Sequence, residues 1–246
     1  MKKNDILIIL PTLNEENNIK KILNKFTVLK IPFDVIIIDD GSVDQTLTII
    51  NSLKKKLNQK NINIIVKERK KRLGIGNAHK FGLNYGFKND YQFALTMDSD
   101  LAHDPKYIPV ILNKMNKEDL VVGSRYLKKN SAKNWSLLRV FLSRSAHFFT
   151  KVLFKHEFDS TNSFRCYNLK TINKNFINFC KGNDYDFFFT SMAILNKKNY
   201  KIKQFSMNVY GREYGHSKMN ISHIIRSIVM IFIIYLKINF RKQNYL

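Results

Sequence analysis

The sequence predicts a doubly wound α/β fold, a mainly parallel sheet covered by helices on both faces. Three observations predict it. Short, wholly apolar runs recur through the first half of the chain, separated by segments with helical spacing. Such runs are too uniformly apolar for a sheet wetted on one side, so both faces must be covered. A polar motif also follows each run, which is where parallel sheets bind ligands, at the carboxyl ends of their strands.

Residues 6–10 (ILIIL) form the first strand. Two lysines precede it, in the manner of a leader, but the apolar run stops at Pro11 and is too short for the apolar region of a secretory signal. Residues 15–29 read as a helix through Ile19, Ile22, Leu23 and Phe26. A second strand is expected at 35–38 and a helix at 43–57. A third strand follows at 62–66 and a helix at 78–87. The fourth strand is 92–96, the next helix 105–115 with proline at its start, and the fifth strand 120–122. In the second half, 135–154 has helical spacing through Leu137, Leu138, Phe141, Leu142, Phe148, Phe149 and Leu153, with Arg139, Arg144 and Lys151 among them. A helix at 185–195 and a strand at 200–205 follow. Residues 220–242 read as a last apolar helix ending in Lys and Arg. The expected organisation is one catalytic domain, 1–218, and an apolar, basic, membrane-facing helix over 219–246.

Composition bounds the function classes. With 44% hydrophobic residues in 246, a sizeable core can be buried and global disorder is excluded. Forty-two basic against 19 acidic residues give a net charge of +23. That excess favours a polyanionic partner: nucleic acid, a phosphorylated substrate or an anionic membrane face. The two cysteines, Cys166 and Cys180, make neither a disulfide framework nor a metal knuckle, and read as buried thiols in a reducing compartment. No window reaches the roughly 18 uninterrupted apolar residues of a spanning helix. The nearest, 228–236, is bounded by Arg226 and Lys237.

The motifs supply the chemistry. Asp98-Ser99-Asp100 follows the fourth strand. Two carboxylates one residue apart present oxygens to one hard cation, and Mg²⁺ or Mn²⁺ takes one or two carboxylates beside substrate phosphates. Asp39-Asp40-Gly41-Ser42 follows the second strand. There Ser42 and Asp44 are suited to cap the next helix, and Asp40 to accept from a ribose or a base. Gly74-Ile75-Gly76 is a weak phosphate-loop signal, because it lacks the Lys-Ser/Thr of a nucleotide triphosphate loop. The preceding Lys67, Arg69, Lys70, Lys71 and Arg72 read equally as a solvated loop or a diphosphate clamp. Arg125, Arg139, Arg212 and Lys218 form a cationic set suited to phosphate. Arg139 and Ser143 stand four apart on one helix face and can address one anion. None of the six histidines makes a zinc pair, and His103 reads as a loop residue beside the acids. No Ser-His-Asp or Cys-His spacing stands out.

Taken together, PTLNEENN, DDGSVDQT, LGIGNAHKFG, MDSDLAHDP, GSRY, NWSLLRVFLSR, DSTNSFRCY and GREYGHSKMN resemble the dolichol-phosphate mannosyltransferase group of family 2 glycosyltransferases, over about residues 6–219. The resemblance implies a Rossmann-like glycosyltransferase A fold. It assigns Pro11, Leu13, Glu15, Ile38 and Asp40 to the nucleoside, and Asp98, Ser99 and Asp100 to the ribose, diphosphate and metal, with Asp98 and Asp100 as the metal acids. Arg125, Arg212 and Lys218 match diphosphate-contacting positions, and Arg139 and Ser143 positions facing an acceptor phosphate. The implied reaction is metal-dependent, inverting transfer of a hexose, mannose or glucose, from a GDP- or UDP-linked sugar to a polyprenyl phosphate at the cytoplasmic face of a membrane. A phosphate monoester is already anionic near neutral pH, so no strong general base is demanded.

Three departures stand out. Ala102 replaces a glutamine common in the metal shell. Ser163 stands where glycine is usual. A helix that often carries a glutamate reads Asn183-Asp184-Tyr185-Asp186, with Asp186 the nearest acid. The tail is expected to meet the membrane, a second copy or a small membrane partner. A family 2 enzyme acting on a non-lipid glycan would leave NWSLLRVFLSR and the apolar tail unexplained. A nucleic-acid-binding protein is disfavoured, because acids cluster at the strand ends.

Overall fold

The computed structural model describes residues 4–58, 62–211 and 229–236. The chain begins as an alternation: β1 (Ile6–Thr12), α1 (Glu16–Phe26), β2 (Asp34–Asp39), α2 (Thr46–Asn58), β3 (Asn63–Glu68), α3 (Ile75–Lys88), β4 (Phe93–Thr96), α4 (Tyr107–Asn113) and β5 (Leu120–Ser124). Then come β6 (Ala132–Lys133), α5 (Leu137–Phe154), β7 (Arg165–Asn168), α6 (Phe176–Phe179), α7 (Asp186–Lys197), β8 (Ile202–Ser206) and β9 (Val209–Tyr210). Residues 229–236 are helical.

The main sheet has the order β3-β2-β1-β4-β7-β5-β8. Every strand but β7 shares one direction; β7 is antiparallel to both β4 and β5. Winding runs from β1 outward to β3 and then returns to place β4 on the other side of β1. The order therefore reverses between β1 and β4, and the crevice at their carboxyl ends is the switch point where such sheets take ligands.

Two apolar layers sandwich the sheet. Ile8, Leu10, Val35 and Ile37 point to the layer shared with Ile19, Ile22, Leu23 and Ile50. Their neighbours Leu7, Ile9, Ile36 and Ile38 point the other way, toward Ala78, Leu83, Phe187 and Met192. That period-two split is the reason the strands read as continuous apolar runs. Each fully buried Leu or Ile contributes about 1.5–3 kcal/mol to this core.

The structure corrects several expectations. β1 continues through Pro11 to Thr12. Pro11's carbonyl accepts Ser99 Oγ, so its missing N–H faces the β4 side beyond the last β1–β4 pair, Ile9 with Thr96, and no ladder bond is lost. α1 ends at Phe26 and α4 covers only Tyr107–Asn113. α3 starts at Ile75, so the glycine pair lies in its first turn rather than in a free loop. β7 was not expected, since its sequence Arg-Cys-Tyr-Asn carries a charge into a wholly buried position.

α5 inverts the usual pattern. Leu137, Leu138, Phe141, Phe148, Phe149 and Val152 face outward, whereas Thr150 and Phe154 are buried. Of the segment 229–236, Ile231 and Ile234 pack against Phe154, Phe189 and Ala193, and Val229, Phe232 and Leu236 stay exposed. Among the described residues no helix is long and apolar enough to cross a membrane. The rest of the expected tail helix lies outside the described residues, and so do Arg212 and Lys218 of the expected catalytic domain.

Candidate active site

The switch point is assembled by short hydrogen bonds between successive strand ends. Ser99 Oγ donates to Pro11 O at 2.8 Å, joining the β4 end to β1. The turn after β1 is stitched to the turn after β2: Asn14 N donates to Ser42 Oγ (2.8 Å), Val43 N to Asn14 Oδ1 (2.9 Å), and Glu15 N to Thr46 Oγ1 (2.8 Å). Asp39 accepts from the Gly41 and Ser42 amides. Asp44 accepts from Thr46 N and Glu16 N; burial would raise its pKa, but the bonds from Thr46 and Glu16 hold it below the usual carboxylate range. Pro11, Glu15 and Ile38 are buried beneath these turns, and Leu13 is half-buried.

Asp40 was expected to meet the nucleoside. In the fold it orders the next loop. Oδ1 accepts from Arg69 Nη1 (2.9 Å) and Leu73 N (2.9 Å), and Oδ2 from Gly74 N (2.8 Å). Arg69 is thereby fixed as a structural partner. A Cβ on Gly74 would fall 2.5 Å from Asn183 O, and one on Gly76 would fall 2.4 Å from Asp184 O. The glycines therefore admit the 183–184 main chain, and φ +97° at Gly74 adds a second demand for glycine. Beside them, Lys80 Nζ donates to Asn183 Oδ1 (2.9 Å) and Cys180 O (3.2 Å). Asp186, at the start of α7, is buried and accepts from Asp184 N.

The acid triplet rests on a hub formed by residues 159–163. Ser163 Oγ donates to Asp98 Oδ1 at 2.7 Å. Asp98 N donates to His103 Nδ1 (3.1 Å), so the opposite nitrogen, Nε2, carries the proton toward Asn162 Oδ1 (2.9 Å). Asn162 Nδ2 in turn donates to Gly123 O (2.6 Å). His103 is thus a loop residue, as expected, and also a buried support of the triplet. Asp100 is buried, and its Oδ1 accepts from Ala102 N (3.0 Å).

One step farther, Asp159 grips Arg125. Its carboxylate accepts from Arg125 Nη2 (2.7 Å), Nε (2.8 Å) and N (3.1 Å). Thr161 Oγ1 accepts from the same Nη2. Burial works against both charges, yet each outweighs it for the other: the Arg125 pKa is raised and the Asp159 pKa lowered. Beyond Arg125 opens a cavity of about 330 Å³. It is lined by Arg125, Tyr126, Lys128, Lys129, Asn130, Ser131, Ala132, Trp135, Val140, Ser143 and Arg144, with no acid among them. Tyr126 OH lies 2.8 Å from Ser143 Oγ and its ring stacks on His147 at 3.9 Å. Arg139 covers the Trp135 ring, 4.0 Å from its centroid. Ser136 caps α5 by accepting from Arg139 N.

These two regions meet through β6 and β9. Tyr210 N donates to Ala102 O (3.2 Å), and Gly211 N to Lys133 O (2.8 Å). The chain leading to Arg212 thus runs between the acids and the cationic cavity. A divalent cation suits this donor set in part. Asp98 and Asp100 supply hard oxygens at one strand end. Among the described residues, however, no group of three His, Cys, Asp or Glu side chains could hold a metal, so most of a shell would come from water and diphosphate.

Sequence reasoning did not single out Asp159, Asn162 or Trp135. The signal for Asp159 was present in DSTNSFRCY, a polar run just before a buried strand. Asn162 acts through His103 and Gly123, both distant in sequence, and Trp135 through the cavity that it lines.

The glycosyl transferase family 2 profile matches residues 7–202. The chain is 28% identical to polyprenol monophosphomannose synthase of Mycolicibacterium smegmatis over 222 residues, 89% of this chain and 82% of that one. It is 24% identical to undecaprenyl-phosphate mannosyltransferase of Micrococcus luteus, covering 87% of each. Among solved structures, glucosyl-3-phosphoglycerate synthase from Mycobacterium tuberculosis in complex with phosphoglyceric acid shares the fold, with TM-score 0.64 at 14% identity over 95% of this chain and 80% of that one. The architecture is the Rossmann-like glycosyltransferase A fold.

Proposed function

The chain belongs to glycosyltransferase family 2, and from that premise we propose that it transfers a hexose, mannose first, from a GDP- or UDP-linked sugar to a polyprenyl phosphate. The observation that carries this reading is the cationic cavity on α5, the same helix whose outer face is apolar. A phosphate pocket beside an apolar surface suits a phosphate carried by a lipid chain. The names of both bacterial relatives support the same acceptor and mannose as the sugar.

The nucleotide-sugar would lie in the β1/β4 crevice, over Pro11, Leu13, Glu15, Ile38 and Asp40, with its diphosphate at Asp98, Ser99 and Asp100. A bound Mg²⁺ or Mn²⁺, held by Asp98 and Asp100, would neutralise the diphosphate leaving group. Arg125, Arg212 and Lys218 would add positive charge to that group, the last two from outside the described residues. Arg139 and Ser143 would orient the acceptor phosphate. Its oxygen forms the new bond to the anomeric carbon as the bond to the diphosphate breaks, which inverts that centre. The monoester is already ionised, so no side chain need remove a proton.

The protein would bind peripherally at the cytoplasmic face of a membrane; the outward apolar face of α5 and the exposed residues of 229–236, bordered by Arg144 and Lys151, support the membrane contact. The tail at 219–246 would lie on the same surface, or against a second copy or a small membrane protein. Asp100→Ala tests the donor side: transfer should vanish while the melting temperature stays close to wild type. Wild-type turnover in that variant would overturn the role of the triplet.

A further inference from the structure

We propose that Tyr126 is a positioning residue for the acceptor phosphate: its hydroxyl donates to Ser143 Oγ and so turns the Ser143 proton toward the anion. The inference rests on the lipid-phosphate reading above, which names Ser143 but not what aims its hydroxyl. Tyr126 and Ser143 both line the cationic cavity, and both are half-buried. Tyr126 OH lies 2.8 Å from Ser143 Oγ and 2.9 Å from Ser143 O. The tyrosine proton thus has two acceptors on one residue, and which of them takes it decides what Ser143 can do.

With the tyrosine proton on Ser143 O, the 2.8 Å contact runs from Ser143 to Tyr126, and the serine proton is taken up. With the tyrosine proton on Ser143 Oγ, the serine proton is left for a third group. A fully ionised phosphate ester accepts hydrogen bonds and donates none, so only the second arrangement binds it through Ser143. The cavity favours that arrangement. Arg125, Lys128, Lys129 and Arg144 line it with no acid among the lining residues, and a chain of two hydroxyls that ends on an anion is strengthened by mutual polarisation. Without Tyr126, Ser143 can return its proton to the carbonyl four residues earlier, that of Arg139, as helical serines do.

The ring is held in place for this contact. It stacks on His147 at 3.9 Å with the planes 10° apart. His147 follows Ser143 by four residues, so ring and hydroxyl meet two successive turns of α5. The Arg125 guanidinium lies 5.3 Å from the Tyr126 centroid and is itself gripped by Asp159. Lys128 and Lys129, by contrast, are exposed. Long ammonium chains supply charge, and the fixed hydroxyl pair supplies direction.

Tyr126→Phe keeps the ring for His147 and removes the donor. It should raise the farnesyl phosphate KM about three- to tenfold, the effect of one neutral hydrogen bond, and leave the nucleotide-sugar KM unchanged. Ser143→Ala should raise the same KM by at least as much. In the double variant the tyrosine change should add nothing, because its effect passes through Ser143. Replacing Tyr126 with difluorotyrosine, whose hydroxyl ionises at much lower pH than that of tyrosine, repeats the test should the Phe variant fold poorly. Its farnesyl phosphate KM should climb with pH where the wild-type value does not, and should not climb in the Ser143→Ala background.

Additive effects of the two substitutions overturn the proposal, because Tyr126 then acts on its own. An unchanged farnesyl phosphate KM in Tyr126→Phe, beside a raised one in Ser143→Ala, also overturns it and leaves the role of Ser143 standing. An equal rise in both substrates' KM overturns it too, because that reports a general disturbance. If Ser143→Ala leaves the farnesyl phosphate KM unchanged, or the wild-type protein does not turn that acceptor over, the acceptor reading itself falls at Ser143, and this inference with it.

Discussion

Asp159→Asn removes one charge from the heart of the site with almost no change in shape. Asp159 is fully buried and the Arg125 side chain only 11% exposed. Three bonds of 2.7–3.1 Å join them. In the variant the amide oxygen still accepts one of these bonds, but the amide NH₂ now faces a donor, and the guanidinium keeps its charge without a counter-ion. Breaking a buried pair in this way costs about 3–5 kcal/mol. For a chain of this length each kcal/mol moves the melting temperature by about 2–4 °C, so the expected fall is roughly 6–20 °C. Thermal unfolding followed by circular dichroism near neutral pH reads it directly. The sign with pH follows as well. A carboxylate held below its usual range gives stability that is present at neutral pH and lost as pH falls through the folded value, and the variant should lack that component. Arg125→Met combined with Asp159→Leu should recover much of the stability and none of the activity. A single-variant loss below about 1 kcal/mol, the range of an exposed pair, would refute the reasoning.

Other perturbations test other parts. His79 is fully buried, neither ring nitrogen has a partner, and burial pushes its pKa down to about 3. The unfolded chain takes up this proton first as pH falls below about 6.5, so stability should decline from there toward pH 3, by on the order of 5 kcal/mol at the acid end. His79→Leu should flatten that decline in chemical denaturation at several pH values and raise stability at neutral pH; an unchanged slope would contradict it. Ser163→Ala removes the donor to Asp98 and should cost about 0.5–1.5 kcal/mol together with a higher KM for the nucleotide-sugar, measured in initial-rate assays. Arg139→Ala should raise the KM for a prenyl phosphate more than that for the donor, and equal effects would count against its assignment. Phe141→Glu with Phe149→Glu should cut sedimentation with anionic vesicles at least tenfold, given about 1.5–3 kcal/mol per buried aromatic, while a short soluble acceptor is still used.

Much of this fold was legible because burial on both faces forces strands such as Val35–Ile38 to be wholly apolar. The polar residues that end them are then conspicuous. β7 was hidden for the opposite reason. Arg165 sits in the core with its charge satisfied by Ser160 O, Asn162 O and Ser191 Oγ, an arrangement that no local pattern announces. The strand-end acids are conspicuous in the sequence; of the Arg139–Ser143 pair, Ser143 lines the cavity and Arg139 stacks on Trp135. What those residues touch was less legible. Asp40, read as a nucleoside contact, also orders the loop before α3. His103 lies in a loop, as read, and its support of Asp98 is what the sequence does not display. Ser163 looked like a mere departure and donates to the same acid. Each of these roles is made by tertiary approach, 5 to 65 residues apart.

The most direct test of the central claim is to incubate the protein and a polyprenyl phosphate with GDP-mannose, UDP-glucose and related donors, with and without Mg²⁺ or Mn²⁺, and to identify the product by mass spectrometry and anomeric NMR. The account predicts a hexosyl-phosphate lipid, mannosyl first, formed only with the divalent ion and inverted at the anomeric carbon. Transfer to a soluble glycan with none to the lipid phosphate, or a product of retained configuration, would contradict it.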